Sequence, residues 1–210
     1  MIFFKMVFIL LLLNTYQVNA ITLGGDASGY FPVLEGETAL LEWGIGTAGT
    51  SSLQYTAMNG FSITENEVFK IGSLTYANAT FPDFFGLSET SLRIQLDFVE
   101  PASIGTIDFN YELAIDETNN DEADSADRVT LLPADNFSPN FVVDGQEFTF
   151  ELVGFGKTSE GILKPFVQEE GSSETVNLYA KITAVPIPSA LWLFMTALSG
   201  FIITGNRKRK

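Results

Sequence analysis

Leu92, Ile94, Leu96 and Phe98 alternate with Arg93, Gln95 and Asp97. A period of two puts one set of side chains on each face of a strand and predicts a half-buried β-strand. The same pattern returns in Ile107, Phe109, Tyr111, Leu113 and Ile115, separated by Asp108, Asn110 and Glu112 among the polar positions. The two segments are close in sequence and are expected to pair. Val143-Asp144-Gly145-Gln146 reads as a two-residue hairpin, because Asp-Gly tolerates the positive φ values of a type I′ turn. Phe148, Phe150 and Leu152 then carry the apolar face onward. A last strand, with Val176, Leu178, Ala180 and Ile182 inward, is expected to end before Pro186, which offers no backbone donor.

Shorter strands are predicted at Ala39 to Trp43, Leu53 to Thr56, Phe69 to Tyr76, Arg128 to Leu132 and Phe166 to Gln168, so nine or ten strands are expected in all. Alternation on one face with short connections implies two antiparallel sheets packed face to face. The expected fold is therefore an all-β antiparallel β-sandwich, with a small open β-barrel as the alternative. No repeat of 20 to 50 residues is visible in the sequence, which argues against a solenoid or propeller.

The two ends of the chain differ from this middle. Lys5 followed by the apolar run Met6 to Leu13 and then Val18-Asn19-Ala20 reads as a secretory signal peptide over residues 1–20, cleaved between Ala20 and Ile21. At the other end, residues 185–210 carry Val185-Pro186-Ile187-Pro188, an apolar run containing Trp192 that continues to Thr204, and the cations Arg207, Lys208, Arg209 and Lys210. About 15 to 17 apolar residues give roughly 25 Å of helix, enough for a thin or locally adapted bilayer. The terminal cations would hold that end in the cytoplasm.

This tail resembles the PEP-CTERM sorting signal of Gram-negative bacteria, with Ile187 where the eponymous form has Glu. The resemblance implies recognition by exosortase, a membrane cysteine transpeptidase, and cutting near the Pro-x-Pro element. An ordinary C-terminal membrane anchor is the alternative reading. The middle, residues 21–184, carries Leu41-Glu42-Trp43-Gly44, Ser51-Ser52-Leu53, Ile71 to Asn78, Ser125-Ala126-Asp127-Arg128-Val129, Phe141 to Gly145 and Phe148 to Phe155. In order and spacing these resemble the choice-of-anchor K domain. That family implies a bacterial surface domain joined to an anchor, with no established catalytic activity or ligand.

Composition narrows the chemistry. Without Lys5 and the four terminal cations, 6 basic residues face 26 acidic ones, a net of −20. Nucleic acid and anionic lipid are disfavoured partners. Cysteine and histidine are both absent, which removes thiolate nucleophiles, disulfides and the commonest general base. Carboxylate catalysis stays open, yet Asp108 and Glu112 on one strand face stand roughly 13 Å apart, too far to act as a glycosidase pair.

Two loops offer further candidates. Asp116, Thr118, Asn120, Glu122, Asp124 and Asp127 have the spacing of oxygen ligands in a calcium loop, but Asp121 occupies the position where glycine normally makes the turn. No flanking helices are predicted. A looser Ca²⁺ site through Asp116, Asn120, Asp124 and Asp127 competes with a solvated acidic loop. Phe84 and Phe85 lie between Pro82 and Gly86, where adjacent aromatics cannot share one strand face. They are candidate contacts to polysaccharide or protein, or a cover for the sandwich edge. With Trp43 and Tyr55 they would form an aromatic platform.

The sequence therefore leads us to expect a non-enzymatic protein with no required cofactor. It would pass through an inner-membrane intermediate, held by its C-terminal helix, and reach the cell surface or extracellular matrix after exosortase processing. A carbohydrate-binding module of the exopolysaccharide matrix, with calcium ordering the acidic loop, is the alternative. Partners after processing would be exopolysaccharide or other surface proteins.

Overall fold

The computed structural model describes residues 21–44, 49–80, 86–118, 126–132, 140–163 and 165–186. Twelve strands run in chain order as β1 (Thr22–Val33), β2 (Gly36–Thr38), β3 (Leu40–Trp43), β4 (Ser51–Thr64), β5 (Val68–Ala77), β6 (Glu89–Glu100), β7 (Gly105–Asp116), β8 (Asp127–Leu131), β9 (Asn140–Val143), β10 (Gln146–Gly156), β11 (Phe166–Gln168) and β12 (Ser173–Ala184). Among the described residues there is no helix. The protein is all-β and antiparallel.

The two packed layers implied by the alternation are halves of one sheet, whose strands follow the order β11-β8-β7-β6-β1-β4-β5-β12-β10-β9. Its curl makes a half-barrel, so the structure joins the sandwich and the open-barrel readings. The continuity comes from β4. Its first half pairs with β5, from Ser52 opposite Ala77 to Ala57 opposite Gly72. Its second half pairs with β1, from Met58 opposite Ala27 to Thr64 opposite Thr22. One strand thus changes partner midway and carries the sheet from one layer into the other. A bulge in β1 between Gly25 and Ala27 lies at this crossing, where the Gly60 N–H donates to Asp26 Oδ1 at 2.7 Å. Bulges sharpen twist locally, which a curled sheet requires.

Aromatic rings fill the space between the layers. Phe109 of β7 stacks on Phe150 of β10 at 4.3 Å between centroids. Phe98 of β6 meets Phe141 of β9 at 5.6 Å, and Phe166 of β11 meets Tyr76 of β5 edge-on at 6.4 Å. The predicted inward sets Leu92, Ile94, Leu96 and Phe98, and Val176, Leu178, Ala180 and Ile182, are all buried. Strands β6 and β7 pair as expected, with Ile94 opposite Phe109. The hairpin also forms, with Asp144 at φ 49° and Gly145 at φ 83°. The sheet ends in two short strands, β9 and β11, which limits the exposed edge open to pairing with another chain.

Two long stretches depart from the sequence expectation. Strand β1 is absent from the expected set, and its Gly24, Gly25, Gly29 and Pro32 give it no clear strand signal. Strand β4 extends the expected Leu53 to Thr56 segment to 14 residues. The glycines serve a close approach. A Cβ on Gly29 would sit 2.8 Å from the Tyr55 ring, and one on Gly72 would overlap the Tyr55 hydroxyl. Tyr55 therefore lies between two strands that have no side chain to oppose it, and its hydroxyl donates to the Ile71 carbonyl at 2.6 Å. Burial holds its ionisation far above the ordinary range.

Gly72→Ala should consequently cost about 1–3 kcal/mol through overpacking. In a Tyr55→Phe background the same change should cost less but still destabilise, since the hydroxyl is the nearest atom it meets while the ring carbon and the Thr56 carbonyl remain. Chemical denaturation of the four proteins of this cycle checks the coupling, and strict additivity would exclude the proposed contact.

Candidate functional site

Period two does not stop where the apolar residues stop. Continued past Ile115, it turns Asp116 outward and Glu117 inward. Continued from Tyr76 it brings Asn78 inward, from Phe166 it brings Gln168 inward, and back from Val129 it brings Asp127 inward. The strand register gathers all four at one end of the half-barrel, because Gln168 pairs with Asp127, Asp116 with Arg128 and Ala77 with Ser173. Asp127, Gln168 and Asn78 are 2%, 4% and 3% exposed. This is a buried polar cluster closing one end of an apolar core.

Tyr76 stands at its centre. Its hydroxyl donates to Asp127 Oδ2 at 2.7 Å, and Asp127 Oδ1 accepts from the Thr118 N–H at 2.8 Å. Trp43, at the end of β3, stacks on the Tyr76 ring at 5.8 Å between centroids and an interplanar angle of 25°. The Trp43 indole N–H donates to Glu117 Oε1. Asn78 Nδ2 donates to Glu170 Oε1 and to the Gln168 carbonyl, both at 3.2 Å.

Electrostatics here are one-sided. Burial is the main cause that raises the Glu117 carboxyl above its ordinary 4.5, and the charges of Asp127 and Glu170 push the same way, against hydrogen bonds from Trp43 and the Leu87 backbone. Burial, the hydrogen bond to Asp127 and the charges of Asp127, Glu117 and Glu170 move Tyr76 far upward too.

The acidic residues on the outer face behave differently. Arg93 reaches Glu37 at 2.6 Å and Asp108 at 2.9 Å, and its hydrogen bond holds Asp108 below the usual carboxylate range. Glu112 accepts from Ser91 at 2.8 Å and Asp97 from Thr106 at 2.9 Å. All are exposed surface pairs, of small energetic weight.

The sequence candidates separate on this frame. Asp116 and Asp127 lie on opposite faces of the sheet: Asp116 is exposed and 3.8 Å from Arg128, whereas Asp127 is sealed beneath Tyr76. The fold therefore does not bring these two calcium candidates together, and Asn120 and Asp124 lie outside the described residues. So do Phe84 and Phe85, Ala20, Ile187, Pro188, Trp192 and Arg207 to Lys210. Tyr55 belongs to the core and not to an exposed aromatic platform, while Trp43 is half-buried over Tyr76. Glu117, Glu170, Asn78 and Gln168 were not singled out from the sequence. Their signal was a polar residue on the inward parity at a strand end.

At the opposite end of the barrel, Thr22 pairs with Thr64 and the Asn66 N–H donates to the Ile182 carbonyl at 2.7 Å. Ile21 and Val185 thus leave the domain together. The Val185 N–H donates to the Glu147 carbonyl at 2.8 Å, and its carbonyl accepts from Gln146 Nε2 at 2.8 Å. Pro186 beyond it is exposed. The ten residues of β5 separate the two ends by roughly 33 Å. No protein-family model matches the chain, and no curated protein matches it in sequence.

Glu117 gives the cluster a pH dependence of known sign. Its carboxyl holds a proton more tightly in the folded state than in the unfolded chain, so folding stability falls as pH rises from about 4.5 through the raised value. Glu117→Gln should remove that component of the slope, seen as a difference between the melting temperatures of variant and parent that changes across this window. A difference independent of pH would contradict the assignment.

Proposed function

We propose that this chain is an exported, non-enzymatic bacterial surface or matrix protein whose C-terminal segment is a sorting signal processed by exosortase. One observation carries the structural side of this reading. Among the described residues the last backbone hydrogen bond is made at Val185, and Pro186, the first proline of the motif, is exposed immediately after it. A processing enzyme needs an extended segment free of sheet pairing, and proline supplies one at low entropic cost. A basic tail and an apolar run would hold the precursor in the inner membrane until cleavage.

The emergence of Ile21 and Val185 at one end supports the same arrangement. A domain held there presents its polar cluster on the far side, toward the cell exterior. Carbohydrate binding in an exopolysaccharide matrix is the second reading, favoured by half-buried Trp43 beside carboxylate acceptors at that displayed end.

Changing both Pro186 and Pro188 to Ala should accumulate unprocessed precursor in the inner membrane of cells carrying the cognate exosortase. Deleting Arg207 to Lys210 should instead weaken retention before cleavage. C-terminal peptide mass and membrane fractionation distinguish them, and normal maturation of the double Ala variant would sink the sorting-signal reading.

A further inference from the structure

We propose that the cleft between β10, β11 and the start of β12 binds a small neutral amphiphile, with an aliphatic body and one amide or hydroxyl head group. Strand β11 ends one side of the curled sheet, and β12 and β10 lie near its other side. The two sides meet through Phe155 and Phe166, whose ring centroids are 6.2 Å apart. A cleft of about 390 Å³ opens in this seam. Small-molecule sites are apolar clefts of roughly 300–1,000 Å³ with a few convergent polar groups, and this one has that form.

Its walls are fixed in advance. After β10 the chain turns back, and Phe155 and Leu163 exchange backbone hydrogen bonds of 2.9 and 2.6 Å. Glycine at 156 permits the tight turn, because a Cβ there would sit 2.6 Å from the Gly161 carbonyl oxygen. Asn177 Nδ2 donates to the Lys157 carbonyl at 3.1 Å and ties the turn to β12. Apolar surface is nevertheless left open, with Leu163 66% and Val167 42% exposed. A preformed apolar wall spares a ligand the cost of ordering it.

Two features select the ligand. The aromatic lining residues Phe155 and Phe166 are 1% and 4% exposed, so the cleft offers aliphatic side chains to a ligand and no open ring face on which a sugar could stack. The charged residues among its described lining are Lys157 and Glu174, and these already join each other at 2.6 Å. An ionic head group would have to displace one of them and would then face a like charge. An amide or hydroxyl can donate to Glu174 and accept from Lys157 at once, leaving the pair in place.

The test uses the full chain in detergent with labelled Leu and Val methyl groups, dialysed to equal free concentrations of octanamide, octanoate or octylammonium. Methyl NMR should show saturable shifts at Leu163, Val167 and Val176 with octanamide, half-saturated at about 1 mM. Both ions should bind the parent about threefold more weakly, a modest factor because the ion pair is partly exposed. Glu174→Gln, which frees Lys157, should turn the preference to octanoate, and Lys157→Met should turn it to octylammonium. Gly161 lines the cleft, and a Cβ there meets Thr158 Oγ1 at an ordinary 3.6 Å. Gly161→Leu should therefore abolish the shifts with the melting temperature retained. Equal binding of all three probes by the parent, an unchanged preference in both ion-pair variants, or parental octanamide binding by Gly161→Leu would overturn the proposal. No exosortase is present in this assay, so its outcome is separate from that of the processing experiment.

Discussion

Tyr55 lies between Gly29 and Gly72, and the curl of the sheet depends on that contact. A flat sheet would leave the ring exposed, and a side chain at either glycine would hold the strands away from it. With the ring seated, β4 passes from β5 to β1 without breaking, and one sheet supplies both layers of the core. The stacked pair Phe109 and Phe150, on strands distant along the sheet, meets only because of this turn. Local twist, long-range packing and the closure of the core therefore follow from one tyrosine and two missing side chains.

Curling also decides what becomes of the strand ends. At one end Ile21 and Val185 emerge together, with Val185 still bonded to Glu147. At the other, the inward parity continues past the apolar residues and delivers Glu117, Asp127, Asn78 and Gln168 into a shared space under Trp43 and Tyr76. Acidic residues on the outer face, such as Asp108, meet solvent and the Arg93 guanidinium, and their charge costs little. Those inside must share donors from a tyrosine, an indole and a few backbone groups. The same residue type thus has two physical roles in this protein, separated by one position along a strand.

In the proposed surface setting this polarity has a direct use. A domain tethered where Ile21 and Val185 emerge would present the opposite end, with Trp43 and the polar cluster, away from the anchor. The strong negative charge elsewhere keeps the outer surface repulsive toward anionic partners.

Much of the architecture was legible in the chain itself. Alternation identified β6, β7, β10 and β12, and Asp144-Gly145 identified the hairpin between β9 and β10, because facing and turn geometry are local properties. Strand β1 was not legible, since Gly24, Gly25 and Gly29 carry a local signal for loops, while in the folded sheet Gly25 lies against the β6 backbone at Asp97 and Gly29 against the Tyr55 ring. Nor was the polar cluster, which unites residues from β5, β8 and β11 with the segments after β7 and β11. Sequence alone determined which face each strand presents; tertiary structure decided which strands lie together, because pairing partners far apart in the chain are selected by shape complementarity that no local pattern contains.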